Sequence, residues 1–185
     1  MLTGVPGVGK TTVAKVLAER LGGTHVDISD LTVREGLVAG WDEERETAIA
    51  DLEAVSRRVR KILDSSEEPV IVEGHYAADI VPSEAVSLVF VLRRAPWRLK
   101  EELTARGYSE EKARENVEAE LVDVCLVEAL EAYGVGRVCE LDTTDRTPEE
   151  VAENVLSVIN GDVPCQSGGI DWLSRMESDG LLEAG

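Results

Sequence analysis

Gly4-Val5-Pro6-Gly7-Val8-Gly9-Lys10-Thr11 matches G-x-x-x-x-G-K-T, and Thr12 adds a second hydroxyl. Glycines at Gly7 and Gly9 let backbone N–H groups turn inward around phosphate oxygens. A helix starting inside the loop adds the positive end of its dipole. Lys10 has the reach for β- and γ-phosphates, Thr11 offers its hydroxyl to Mg²⁺, and Thr12 is placed for the α-phosphate. The expected ligand is a nucleoside triphosphate with magnesium.

The loop alone does not choose a reaction. The sequence has no guanine-reading N-K-x-D, and motor or transporter ATPases are usually larger. A small phosphotransferase remains, which needs an acid for the metal, an acceptor site and a basic lid. "VIVEGH" supplies Glu73 as a candidate for holding Mg²⁺ through water, and His75 as a candidate to orient a water or the migrating phosphoryl group. For each the plainer alternative is structural: a strand-end carboxylate, a packed histidine. Arg93 and Arg94 close the next apolar run, where one could face phosphate and the other solvent. Arg106, before Gly107 in "ARGYSEEKARENVEAEL", is the candidate lid cation. The acceptor segment is expected at about 29–53, with Asp30 and Arg34 as its polar contacts, and the lid at about 105–115.

The positioning elements follow from pattern. Thr11 to Leu21 carries an apolar stripe at helical spacing, and Gly22-Gly23 ends it. "THVDIS" is a short strand, and Ser29 or Asp30 could cap a helix over "DLTVREGL". Glu43 to Leu63 is predicted as one long charged helix, with Ile49, Leu52, Val55, Val59, Ile62 and Leu63 inward. "VIVEG" and "SLVFVLR" are continuous apolar runs, as for strands covered on both faces. Helices are predicted from Pro96 to Ala105, from Ser109 to about Tyr133, and from Thr147-Pro148 to Ile159, with "RVCELDT" as a strand between the last two. The alternation gives an α/β fold, a three-layer P-loop arrangement around a mostly parallel sheet. The first strand is truncated: Leu2 and Thr3 stand where about five residues are usual. Either the start lies upstream, the expectation here, or the strand is a stub.

The chain has 185 residues, with 37 acidic against 19 basic side chains and a formal net charge of -18. That length suits one domain, taken as 1–160, followed by a linker and amphipathic tail over 161–185, in which Trp172, Leu173, Met176, Leu181 and Leu182 could dock. Self-repulsion at low salt and screening at high salt suggest a halophile's surface; an acidic face for a basic partner is the alternative. The charge disfavours direct nucleic-acid binding, and Arg57, Arg58, Arg60 and Lys61 are read as a solvated helix face. With no membrane span and no signal peptide in the pattern, a cytoplasmic protein is expected. Cys125, Cys139 and Cys165 suggest no disulfide framework; Cys125 and Cys139 are read as buried small hydrophobes.

"GVPGVGKTT", "VEGH", "SLVFVLR" and "ARGYSEEKARENVEAEL" occur in this order, and "GLVAGWDEERET" lies between the first two. Together they resemble the small adenylate-kinase family whose eukaryotic members are the nuclear adenylate kinase isoenzyme six proteins, the archaeal type above all. The resemblance covers about 1–160. It implies a broad-specificity nucleoside-monophosphate kinase that also hydrolyses ATP. It further implies a role in late maturation of the small ribosomal subunit, with transient binding to a uS11-type small-subunit ribosomal protein. Gly7, Gly9, Lys10, Thr11 and Thr12 would then bind ATP phosphates and Arg106 would be the lid arginine. The chain departs from eukaryotic relatives at Glu73, where they carry aspartate, at Gly74, where they carry a bulkier residue, and at Arg34, shifted by one position. A different small-molecule kinase, of nucleoside or shikimate type, is the remaining reading.

Overall fold

Residues 1–43 and 47–180 are described by a computed structural model. In chain order the elements are β1 (Leu2–Thr3), α1 (Lys10–Leu21), β2 (Thr24–Asp27), α2 (Ile28–Arg34), β3 (Val38–Asp42), β4 (Thr47–Ala50), α3 (Leu52–Ser65), β5 (Val70–Glu73), α4 (Ala77–Ile80), β6 (Val89–Arg93), α5 (Pro96–Ala105), α6 (Glu110–Leu121), α7 (Val124–Tyr133), β7 (Val138–Asp142), α8 (Pro148–Ile159) and α9 (Trp172–Ser178). The main sheet runs β2-β5-β1-β6-β7. Each of its pairings is parallel, with Leu2 opposite both Glu73 and Phe90. The chain moves one way from β1 to β2 and the other way from β2 to β7. Right-handed crossovers then put α1 on one face and α3, α4 and α7 on the other. Helix α8 returns to pack against α1.

Burial explains the apolar runs. All five residues of β6 are buried, as are Ile71, Val72 and Glu73 of β5. Val13, Ala14, Leu17 and Ala18 form the inner stripe of α1. The stub β1 is central and buried: Leu2 is fully enclosed and Phe90 donates its N–H to the Met1 carbonyl. Thr147 and Glu150 close a capping box on α8, behind Pro148 in the first turn.

Several expectations are corrected. The long helix predicted from Glu43 gives way, among the described residues, to a hairpin: β3 and β4 pair antiparallel with a bulge between Val38 and Gly40. The helix starts at Leu52, capped by the Asp51 carboxylate on the Ala54 N–H. Ile49 and Leu52, expected inside, are 49% and 44% exposed. Asp27, not Ser29 or Asp30, caps α2 by accepting from the N–H groups of both. The helix predicted from Ser109 to Tyr133 breaks between α6 and α7, where Asp123 takes φ 60°. Cys139 and Cys165 form a disulfide. Spacing alone could not show it, because an edge strand and a distant tail supply the two sulfurs.

The tail is fixed at several points. Glu140 donates its N–H to the Gln166 carbonyl, and its carboxylate accepts from the N–H groups of Gly168, Gly169 and Ile170. Trp172 is buried, donates to Glu120 at 2.8 Å and meets Trp97 edge-on. Leu173 is exposed, and Leu181 and Leu182 lie outside the described residues.

Candidate active site

The Gly4–Lys10 loop leaves β1 at the C-terminal edge of the sheet and enters α1. Gly4, at φ 138°, lies so close to β6 that a Cβ would sit 2.4 Å from the Leu92 carbonyl oxygen. Gly9 holds φ 96° as the residue before α1, with no side chain capping the helix and no acid in its first turn. The first N–H groups of α1 therefore have no side-chain acceptor and suit an anion.

Lys10 folds back and donates to the carbonyls of Gly4 at 2.8 Å and Val5 at 3.0 Å. Burial lowers its pKa, against the pull of Glu73. Thr11 donates its hydroxyl to Glu73 at 2.7 Å, across to the end of β5. Glu73 is 2% exposed. Burial pushes its pKa up, but the adjacent His25 imidazole, the hydrogen bond from Thr11 and the charge of Lys10 hold it below the usual carboxylate range. The neighbouring Asp27 shifts the other way, raised by burial and then by the charge of Glu73. Nε2 of His25 lies 3.6 Å from Glu73.

These groups share a cavity of about 310 Å³ whose walls include Gly7, Gly9, Thr12, Ser29, His75, Arg106 and Tyr108. Arg106 is the C-cap of α5 and is tied to Glu102 at 2.7 Å. Gly107 follows at φ 81°, turning Tyr108 back so that its N–H reaches the Leu103 carbonyl. His75 has its pKa lowered, first by burial and then by Lys10, so it is neutral at pH 7.

Of the residues singled out in the sequence, Gly7, Gly9, Lys10, Thr11, Thr12, Glu73, His75 and Arg106 converge here. Asp30 and Arg34 do not: they pair with each other at 3.0 Å on the exposed side of α2, and Ser29 and Asp27 face the cavity instead. Arg93 is also absent from it. That guanidinium is 1% exposed and enclosed by Glu120, Asp123 and Glu140. Arg94 points toward Glu102 at 4.0 Å. The pattern missed Asp27, whose place at a strand end opposite Glu73 was the available signal, and His25, which had none.

A family model described as an AAA domain matches residues 1–123. A protein of Thermococcus gammatolerans named "Putative adenylate kinase" is 44% identical over 171 residues, covering 92% of this chain and 90% of its own. The chain belongs to this archaeal family. Another member bearing that name, from Methanothermobacter thermautotrophicus, is 42% identical over 171 residues, spanning 92% of this chain and 95% of that one. Among solved structures, shikimate kinase from Acinetobacter baumannii aligns with TM-score 0.62 at 19% identity over 87% of this chain and 92% of its own. The YorR protein of Bacillus subtilis aligns with TM-score 0.58 at 16% identity, over 87% of this chain and 95% of that one. At those identities the likeness carries the fold: an α/β P-loop kinase architecture on a parallel five-stranded sheet.

Proposed function

We propose that this chain transfers the γ-phosphoryl group of ATP to a nucleoside monophosphate, with broad acceptor tolerance, and hydrolyses ATP when water takes the acceptor's place. The observation that carries the reading is one cavity lined by Lys10 and the open α1 N-terminus, by the hydrogen-bonded Thr11–Glu73 pair and by Arg106. The names of the archaeal relatives support the same reaction class.

Gly7, Gly9, Thr12 and the first turn of α1 bind the phosphates, and Lys10 exchanges its carbonyl partners for β- and γ-oxygens. The hard oxygens of Thr11, Glu73 and Asp27 fit Mg²⁺: Thr11 would hold it directly and Glu73 through water. Bound there, it would neutralise charge on the phosphates. Arg106 swings from Glu102 toward the migrating phosphoryl group and helps exclude water. The acceptor lies on the α2 side, where Ser29 reaches the cavity and Asp30 and Arg34 follow on the same helix. His75 orients the attacking water in hydrolysis.

Coupled assays with ATP plus AMP, CMP, UMP or dAMP test this. ADP formation dependent on at least one monophosphate is expected, and its absence with all four removes the reading. A second reading, an ATP-driven factor for small-subunit maturation, rests on the family resemblance and on His75 beside the loop. Pull-down with a uS11-type ribosomal protein, and stimulation of ATP hydrolysis by it, separates the two.

A further inference from the structure

Cys125 lies in the first turn of α7, with its thiol 3.4 Å from Nδ1 of His75. The residue is 4% exposed. His75 is otherwise held by backbone and ring contacts: Thr3 donates to its carbonyl at 3.4 Å and Tyr76 tilts against its ring at 5.2 Å. The imidazole also lies beside the Gly4 backbone, whose carbonyl accepts from Lys10.

We propose that Cys125 is a positioning residue for His75: its S–H donates to Nδ1, which turns that edge of the ring into the core and keeps the ring proton on Nε2, on the loop side. This rests on the reading of His75 as the group that orients water. The hydrogen-bond inventory is consistent with it. A thiol donating to Nδ1 requires the other nitrogen to carry the proton. That tautomer can also donate to the Gly4 carbonyl and, with nucleotide bound, to a water or phosphate oxygen near it. The thiol remains S–H through the assay range, because burial pushes its pKa up to about 12. A buried small hydrophobe would fill the same space, but it would leave Nδ1 without a donor.

The test uses the full chain, which has two histidines, so His75→Gln assigns the His75 signals in imidazole ¹⁵N–¹H spectra. Wild type and Cys125→Ser should show His75 protonated at Nε2 at pH 7.5. Cys125→Val and Cys125→Ala should show averaged tautomers. Their kcat for ATP hydrolysis should fall on the order of tenfold, the scale found when the partner orienting a functional histidine is removed. KM for ATP should stay within about twofold of wild type, and Cys125→Ser should restore most of kcat. Unchanged His75 signals in both apolar variants, or a serine variant that behaves like them, overturns the proposal. Should wild type show neither hydrolysis nor transfer, the functional reading fails on its own, and the spectra still decide the tautomer.

Discussion

Lys10 is enclosed by the loop it serves, and its ammonium is satisfied by two loop carbonyls. Lys10→Ala removes the cation, whose hydrogen bonds go to loop carbonyls and not to a carboxylate. Both transfer and hydrolysis should fall by about 10²–10³-fold, the usual cost of losing one preorganised charge-stabilising group. An unchanged melting temperature would confirm that chemistry and not folding was lost. Glu73 differs, because Thr11, His25 and Asp27 converge on it. Glu73→Gln should raise the magnesium concentration for half-maximal activity by about tenfold, while nucleotide binding without metal changes little. Equal magnesium curves for the two proteins would remove Glu73 from the metal's surroundings. At this scale the sequence was legible where a motif is local: the loop residues and the E-G-H run stand together in space as in the chain. It read Cys125, fifty positions from His75, as a buried small hydrophobe and no more, and it misplaced Arg93. The side chains that cage Arg93 come from α6, the α6–α7 break and β7, so no local pattern contains them.

The elements repeat this division. Helices opened by a proline in the first turn were readable, as α5 and α8 show. The stretch before α3 was not, because charged residues at mixed spacing fit a helix as well as a hairpin edge. The stub β1 tests how short a central strand can be. Below Met1, a groove of about 640 Å³ opens between β5 and β6, bordered by Leu17, Leu63, Ile71, Phe90, Val155 and Ile159. The Met1 ammonium is buried there, donates to the Leu88 carbonyl at 2.9 Å, and has its pKa lowered from 8.0 to about 6. Between those values the unfolded chain binds the proton more readily, so this group makes stability rise with pH from about 6 to 8. Four apolar β-branched residues added before Met1 would extend the parallel pairing and fill the groove. Each buried side chain contributes about 1.5–3 kcal/mol before ordering costs. Denaturant titration of the extended chain should give a net gain of several kcal/mol and a flatter pH profile in that window. No gain in stability would mean that the groove does not accept a continued β1.

At the scale of the whole molecule, the tail and the charge decide how the fold holds together. The Cys139–Cys165 bridge closes a span of 26 residues, and Trp172 locks the strap to Glu120 at the end of α6. A loop of that length is worth about 3.5 kcal/mol in unfolded-state entropy. Denaturant titration should show the Cys165→Ala variant, and wild type under a dithiol reductant, less stable by a similar amount, and a reductant should leave the variant's stability unchanged. The larger lever is charge. A formal net charge of -18 spreads mutual repulsion over the surface. The arginines of α3 are already committed: Arg57 to Glu53, Arg58 to Glu35 and Arg60 to Glu84. That leaves little basic surface for phosphate backbone and much uncompensated acid. Among the described residues, no helix is long and apolar enough to cross a membrane. Raising KCl to about 1 M contracts the Debye length to about 3 Å. Repulsion between separated carboxylates is then screened, while the short pairs buried around Arg93 are hardly affected. The melting temperature should therefore climb from low salt to molar KCl, and by more than glycerol or sucrose at equal osmolality can raise it. A maximum at low salt would show that the acidic surface is compensated by something other than solvent ions, and would favour the basic-partner reading of this face.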